Sequence, residues 1–472
     1  MSDSPRARSC REHTRAEILR RSAATAGAGL PAIEPGMPMP AGTGLDRRMF
    51  LARSAGLMLA VYGAGSVGMK LFEEGIAHAG AAAGAGERVL VSVFLDGGID
   101  SLSVLFPTGD PRYRNLRNRL ALGEGAGQAF SEDGRLRWHP LAAPLATLHS
   151  EGKLSVATAI GYDSPDQSHF TSRHYYEVGA TDANLRSGWL GRTLDVIGTP
   201  DNPMQGLALD YALQPSLATT RVPVAAVASP SEFSFWARNV WGDVETRMLE
   251  ALQPLAAASS GNDPTLADAR SVLGQMDGVR RQLLPFTSDD EAPIQSPVAY
   301  PRAEHEFPQR LAALASMLGA NLPIRCVAMS APGSYDTHDN QQGAFEEGLG
   351  ITATSLLAFQ RDLEARGLAD RVLTLVWSEF GRRGKENASL GTDHGAAGLG
   401  LVMGTNAAGS MIGEFPGLAN GTGLDEDGNL RATSDYRGLY ASILEQWLSV
   451  DAAQIIPGAA GFSRIPILKP GA

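Results

Sequence analysis

Apolar residues along this chain fall into two patterns. Short, nearly continuous runs occur at Arg88 to Leu95, Lys153 to Ile160, Pro203 to Leu209, Val222 to Ala228, Leu322 to Met329, Val372 to Trp377 and Leu399 to Met403. They are too short for helices, and β-branched residues recur in them, so they predict buried strands. Between them, apolar positions take helical spacing over Phe170 to Val178, Gly188 to Ile197, Thr246 to Ala257, Leu266 to Leu283, Pro308 to Leu318, Gly343 to Arg366 and Tyr436 to Leu448. Alternation of this kind predicts an α/β fold, a mostly parallel sheet with helices on both faces. Residues 229–300 are more helical and polar, and predict an insertion or cap.

Polar residues cluster where the strand runs stop, at 96–101, 163–169, 334–341 and 378–383. Open α/β sheets bind ligands outside the carboxyl ends of their strands, so these four loops are expected to converge on one edge. Asp96 and Asp100 bracket a Gly-Gly turn. Asp336-x-His338 in an extended segment would put a carboxylate and an imidazole on one face, a workable pair for a divalent cation. Glu379 ends a strand run, and a carboxylate there must be paired, hydrated or metal-bound. Asp393-His394 lies between Gly391 and Gly395, where adjacent side chains can both face a site. Ser168-His169 precedes a helical pattern, which suits a nucleophile or bound anion at a helix start, with His169 as acid/base or ligand.

Each has a plainer reading. An Asp in a turn caps backbone amides, a Ser at a helix start is an N-cap, and Arg382 or Arg383 could simply pair with Glu379. The planar fork of Arg382 would equally suit a phosphate or sulfate, and Arg173 could offset the same charge. Together the set reads as a metal-centred site. Carboxylate and imidazole ligation is compatible with Zn, Mn, Mg or Ca.

Composition narrows the function. The chain has 472 residues, 43% of them apolar, enough for a large core. A formal net charge of -11 without a basic block argues against nucleic acid as a partner. Asp46-Arg47-Arg48-Met49-Phe50-Leu51, the apolar stretch from Ala55 to Tyr62 and the small-x-small Ala77-His78-Ala79 read as a twin-arginine export signal over 46–79. Its expected partner is the twin-arginine translocation machinery, and its expected destination the periplasm or the cell surface. Residues 1–45 read as a disordered leader or sequence upstream of the true start, and 80–87 as a linker. Cys326 lies in a strand run and reads as a small core residue.

Several segments, in this order, resemble the exported bacterial family catalogued as domain of unknown function 1501. They are the twin arginine, Phe94-Leu95-Asp96-Gly97-Gly98-Ile99-Asp100, Pro107-x-Gly109-Asp110-Pro111-x-Tyr113, Ser168-His169-Phe170 and Gly188-Trp189-Leu190-Gly191-Arg192, followed by Asp336-Thr337-His338, Ser378-Glu379-Phe380-Gly381-Arg382 and Gly391-Thr392-Asp393-His394-Gly395. The resemblance implies an alkaline-phosphatase-like fold over 88–472 and a metal-dependent phosphoric or sulfuric ester hydrolase. It implies Asp96 or Asp100 as first acidic ligand, Ser168 as nucleophile, Asp336 and His338 as a metal pair, Glu379 in place of a strand-end Asp, and Asp393 with His394 closing the site. Phe380 stands where that superfamily has an imidazole, a departure that bears against a complete second metal site and leaves the number of ions open. The sulfatase Cys-x-Pro-x-Arg signature is absent. The expected substrate is a small-molecule or cell-envelope ester. The rival readings are a non-catalytic, metal-stabilised envelope binding or assembly protein, and a phospho-group transferase.

Overall fold

The structure is a computed structural model, and it describes residues 87–228, 243–258, 264–286, 296–302 and 305–471. The leader and export signal, nearly all of the linker, and part of the 229–300 insertion lie outside these residues.

Eleven strands organise the described chain around the site. They are β1 (Val89–Phe94), β2 (Leu154–Gly161), β3 (Gly206–Ala208), β4 (Ala225–Ala226), β5 (Cys326–Ser330), β6 (Val372–Trp377), β7 (Arg382–Glu386), β8 (Thr392–His394), β9 (Gly398–Met403), β10 (Met411–Ile412) and β11 (Ser434–Asp435). The main sheet has the order β10-β2-β9-β6-β1-β5-β3-β4, with β11 also pairing β2. Every pairing in it is parallel except those of β9, which runs antiparallel to both β2 and β6. β7 and β8 form a separate antiparallel hairpin.

Side-chain alternation along the central strands sorts the interior into two cores. Val89, Val91 and Val93 of β1, with Val372 and Val376 of β6, face one core. Leu90 and Phe94, with Leu373, Leu375 and Trp377, face the other. The first core is covered by α1 (Ala143–Ser150), α5 (Pro264–Leu283), α6 (Phe307–Gly319) and α7 (Gln341–Ala365). The second is covered by α2 (His169–Val178), α3 (Trp189–Ile197) and α8 (Tyr436–Ser442). A further helix, α4 (Asp243–Ala256), packs beside α5 within the insertion region. The expected α/β class, with a mostly parallel sheet and helices on both faces, is therefore the one observed. All seven apolar runs contain a strand, although Pro203 to Leu209 and Val222 to Ala228 supply only three- and two-residue strands.

Two features of the sheet place the site. Phe94 at the end of β1 lies level with Ser330 of β5 and Trp377 of β6, so three loops leave the sheet side by side. Because β9 runs the opposite way, its first residues lie at that same edge, and the β8 segment just before it arrives there too. Cys326 is a free thiol buried in β5, and burial pushes it up to about 12.

Candidate metal centre

Asp336 is the hub of the site. Its side chain is only 5% exposed, and its Oδ1 lies 3.4 Å from His169 Nε2, 3.2 Å from His338 Nε2 and 3.3 Å from His394 Nε2. Arg382 Nη2 donates to the same oxygen at 2.8 Å. His169, Asp336 and His394 offer donor atoms all within 4.8 Å of one another, close enough to share one ion.

Each imidazole is held from behind at Nδ1. The partner is Glu379 Oε1 at 2.7 Å for His169, the Gln167 carbonyl at 2.8 Å for His394, and Asp393 Oδ1 at 3.1 Å for His338. An acceptor at Nδ1 assigns the ring proton there and turns the Nε2 lone pair forward. Two such lone pairs, those of His169 and His394, and the Asp336 carboxylate oxygen then face one point, and His338 Nε2 approaches the same oxygen from the side. Two of the ring pairs stand close, with centroids 4.4 and 4.7 Å apart. The donor set, nitrogen and oxygen with an acceptor behind every ring, fits a divalent metal. Burial pushes the Asp336 carboxyl up, but the three imidazoles and Arg382 pull it far below the usual range.

Glu379 is fully buried and turned toward the turn after β1. Its oxygens accept the Gly97 amide at 2.9 Å and the Gly98 amide at 3.1 Å. Burial raises its carboxyl, and hydrogen bonding and charge from His169, with Arg173 behind, bring it below the ordinary value. This amide cradle requires glycine. Gly97 and Gly98 have φ of +110° and +73°, and a Cβ at Gly98 would lie 2.3 Å from the Phe380 ring. Phe380 in turn packs 4.8 Å from both His169 and His394, centroid to centroid, and walls the two rings.

The structure gathers Asp336, His338, His394 and His169 directly, and sets Glu379 and Asp393 behind two of the imidazoles. Asp96, in the turn after β1, has 34% of its side chain exposed, with Arg173 Nη1 standing 4.0 Å away. Burial pushes its carboxyl up, Glu379 and Asp336 adding to the rise against Arg173 and His169.

Asp100 is drawn elsewhere. It is 1% exposed and bound to the fully buried Arg117, with further bonds from Ser103 at 2.6 Å and Gln341 at 2.7 Å. Ser168 takes the plainer role weighed for it. Its Oγ caps α2 by accepting the Thr171 amide at 3.5 Å. Arg382 is a buried clamp. It donates to the carbonyls of Gly98 (2.8 Å), Thr392 (2.9 Å), Tyr335 (2.9 Å) and Gly97 as well as to Asp336.

Three contributors had gone unnoticed in the sequence. Gln167 acts through its carbonyl, which no side-chain pattern reveals. Asn387 donates to Asp393 at 3.1 Å and to the His338 carbonyl at 2.8 Å. Gln341 accepts from Thr337 at 3.1 Å and Thr392 at 2.6 Å, tying both ligand-bearing segments to Asp100.

Residues 155–457 match the family described as "Protein of unknown function (DUF1501)". The chain belongs to that family. Curated proteins give no match. Similar solved structures include Ps i-CgsB in complex with k-i-k-neocarrahexaose, at 9% identity and TM-score 0.34, over 79% of this chain and 74% of that one. Phosphonate monoester hydrolase SpPMH from Silicibacter pomeroyi is similar at 10% identity and TM-score 0.32, over 80% and 76%. The lipoteichoic acid synthase LtaP from Listeria monocytogenes follows at 10% identity and TM-score 0.28, over 81% and 79%. At such low TM-scores nothing about the site follows from them. Among the described residues, no helix is long and apolar enough to cross a membrane.

Proposed function

We propose that this DUF1501 protein is an exported, metal-dependent hydrolase of phosphate or related esters. The observation that carries the reading is the convergence of three imidazole Nε2 atoms on Asp336 Oδ1, each ring held at Nδ1 by an acceptor. His169, His394, His338 and Asp336 would hold one divalent cation, with Zn, Mn, Mg and Ca all compatible with these donors. Such an ion supplies charge that polarises an ester oxygen and lowers the proton affinity of an attacking hydroxyl or water. Glu379 and Asp393 keep the rings oriented. Arg382 holds Asp336 ionised and ties the loops after β1 and β5 to β8 in one frame. Water is the nucleophile in this reading, because Ser168 Oγ is bonded to the Thr171 amide rather than to a donor of the cluster. Ser168→Ala should therefore retain turnover. Export by the twin-arginine machinery to the periplasm or cell surface belongs to the same proposal, since that route carries folded proteins with metals already in place.

Elemental analysis of the wild type beside Asp336→Ala/His394→Ala tests the metal. Near-stoichiometric metal, lost in the variant, is expected, and its absence from both proteins would refute the reading. A second reading is a metal-stabilised envelope binding protein. The engagement of both Ser168 and Arg382 in structural bonds favours it. Bound metal without turnover of phosphate diesters, phosphate monoesters or sulfate esters would decide for it.

A further inference from the structure

We propose that Asn429 is a positioning residue of the metal centre, acting on His394 through Gln167. The inference deepens the metal reading and rests on it for the ion that His394 would hold.

His394 owes its orientation to a backbone group, since its Nδ1 faces the Gln167 carbonyl at 2.8 Å. Residues 165–168 around that carbonyl have no helix or strand of their own, so no ladder of backbone bonds fixes the direction of this peptide plane. Asp166 is tied locally. Its Oδ1 accepts the Ser168 amide at 2.8 Å, and its own amide donates to Tyr162 Oη at 3.0 Å. Gln167 is tied to a distant element, because its Nε2 donates to Asn429 Oδ1 at 3.1 Å across 262 residues of chain. The same loop runs into His169 two residues on, so its placement bears on two of the three donors that lie within 4.8 Å of one another.

Asn429 is held still at the other end. It is 3% exposed. Its Nδ2 donates to Asp425 Oδ2 at 2.9 Å, its backbone amide donates to Asp425 Oδ1 at 2.8 Å, and its carbonyl accepts the Asp425 amide at 3.0 Å. A carboxylate only accepts, so Asp425 claims the side-chain nitrogen and turns the Asn429 oxygen toward Gln167. The closed turn 425–429 is docked on β7, through a backbone bridge between Asn429 and Arg383 and through the Gly384 amide, which donates to the Gly428 carbonyl at 3.0 Å. β7 in turn pairs Arg382 with His394 of β8. One frame therefore grips His394 twice, its backbone through the hairpin and its ring through Asn429 and Gln167.

Zn2+ affinity of the full chain, measured by competition with a chelator, tests this beside the visible d–d spectrum of the Co2+-loaded protein. Asn429→Ala and Gln167→Ala should each weaken Zn2+ binding about five- to tenfold and alter the Co2+ bands. The double variant should do no more than either alone, because both changes remove the same bond. Asn202→Ala is the control. Asn202 is also a buried amide bonded at both ends, donating to the Pro323 carbonyl at 2.9 Å and accepting the Met204 amide at 3.1 Å, but it precedes β3 at the opposite edge of the sheet. Its loss should lower Tm and leave Zn2+ affinity and the Co2+ bands unchanged. Unchanged affinity in either Asn429→Ala or Gln167→Ala, additive losses in the double variant, or an equal loss in Asn202→Ala overturns the proposal and leaves the metal reading intact. Should Asn429→Ala fail to fold, Gln167→Ala decides alone, since its side chain lies in a half-buried loop. Wild-type protein that takes up no Zn2+ sinks the metal reading, and this inference with it.

Discussion

Replacing Arg117 by Met should destabilise the protein strongly while leaving the metal ligands untouched. Arg117 and Asp100 are 0% and 1% exposed, and Arg117 reaches Asp100 with both Nη atoms, one at 2.9 Å. It also donates to the carbonyls of Gly384 and Arg383, both at 2.9 Å, so it ties β7 to the turn after β1. Burial raises the Asp100 carboxyl, but the charge of Arg117 and bonds from Arg117, Ser103 and Gln341 outweigh it and hold the group ionised. Removing one partner of such a pair costs about 3–5 kcal/mol, because a charge is left buried alone. Unfolding entropy of about 2.1 cal/mol/K per residue over a body of roughly 380 residues gives about 0.8 kcal/mol/K, so Tm should fall by about 4–6 °C. Differential scanning calorimetry at pH 7 reads this, and elemental analysis of the same samples reads the metal. Asp100→Asn/Arg117→Met should cost less than the sum of its single changes. Since the folded Asp100 carboxyl lies below its ordinary 3.8, its contribution is present above that pH and is lost as pH falls through the folded value. The Tm gap between wild type and Asp100→Asn should accordingly shrink only below about pH 4. Asp100→Asn that loses metal with an unchanged Tm would refute this reasoning and make Asp100 a ligand.

Other outcomes follow from single contacts. Gln341→Leu should weaken metal affinity by about 10–100-fold, measured by competition with a chelator, because it frees the segments bearing His338 and His394 from their common anchor. Gly98→Ala should displace Phe380 and cost about 1–3 kcal/mol, and a variant with wild-type Tm would count against the Gly-Gly cradle. Cys326 should resist maleimide labelling at pH 8 and react only on unfolding, as its buried thiol is pushed up to about 12. Peptide mapping that found Cys326 labelled in native protein would contradict that burial.

The sheet was legible because strand-length apolar runs and helical spacing are physical consequences of burial on two faces. The convergence of loops was legible for the same reason, since parallel strands share a direction. What the residue order could not tell was which of two neighbours meets the centre. Asp96 and Asp100 lie in one turn, yet Asp100 is claimed by Arg117, a residue in a stretch with no periodic pattern. Ser168 and His169 are adjacent, but the first backbone turn of α2 uses the hydroxyl and leaves the imidazole to the site. Glu379 looked like a ligand and serves by orienting His169. Arg382 looked like an anion clamp and binds carbonyls instead, a role visible only once distant loops are brought together. The reversal of β9, which delivers His394, has no signature in its apolar run.

That reversal bears on how the protein matures. The bond from Glu379 to His169 closes 210 residues of chain and that from Glu379 to Gly97 closes 282, so the donors can assemble only after most of the polypeptide has been synthesised and its central strands ordered. Closing such long loops is slow, and partial chains would hold too few ligands to retain an ion. Metal capture would then be a late event that marks completion of folding, and a chain cut short before β8 would leave the ribosome without His394 and unable to acquire it.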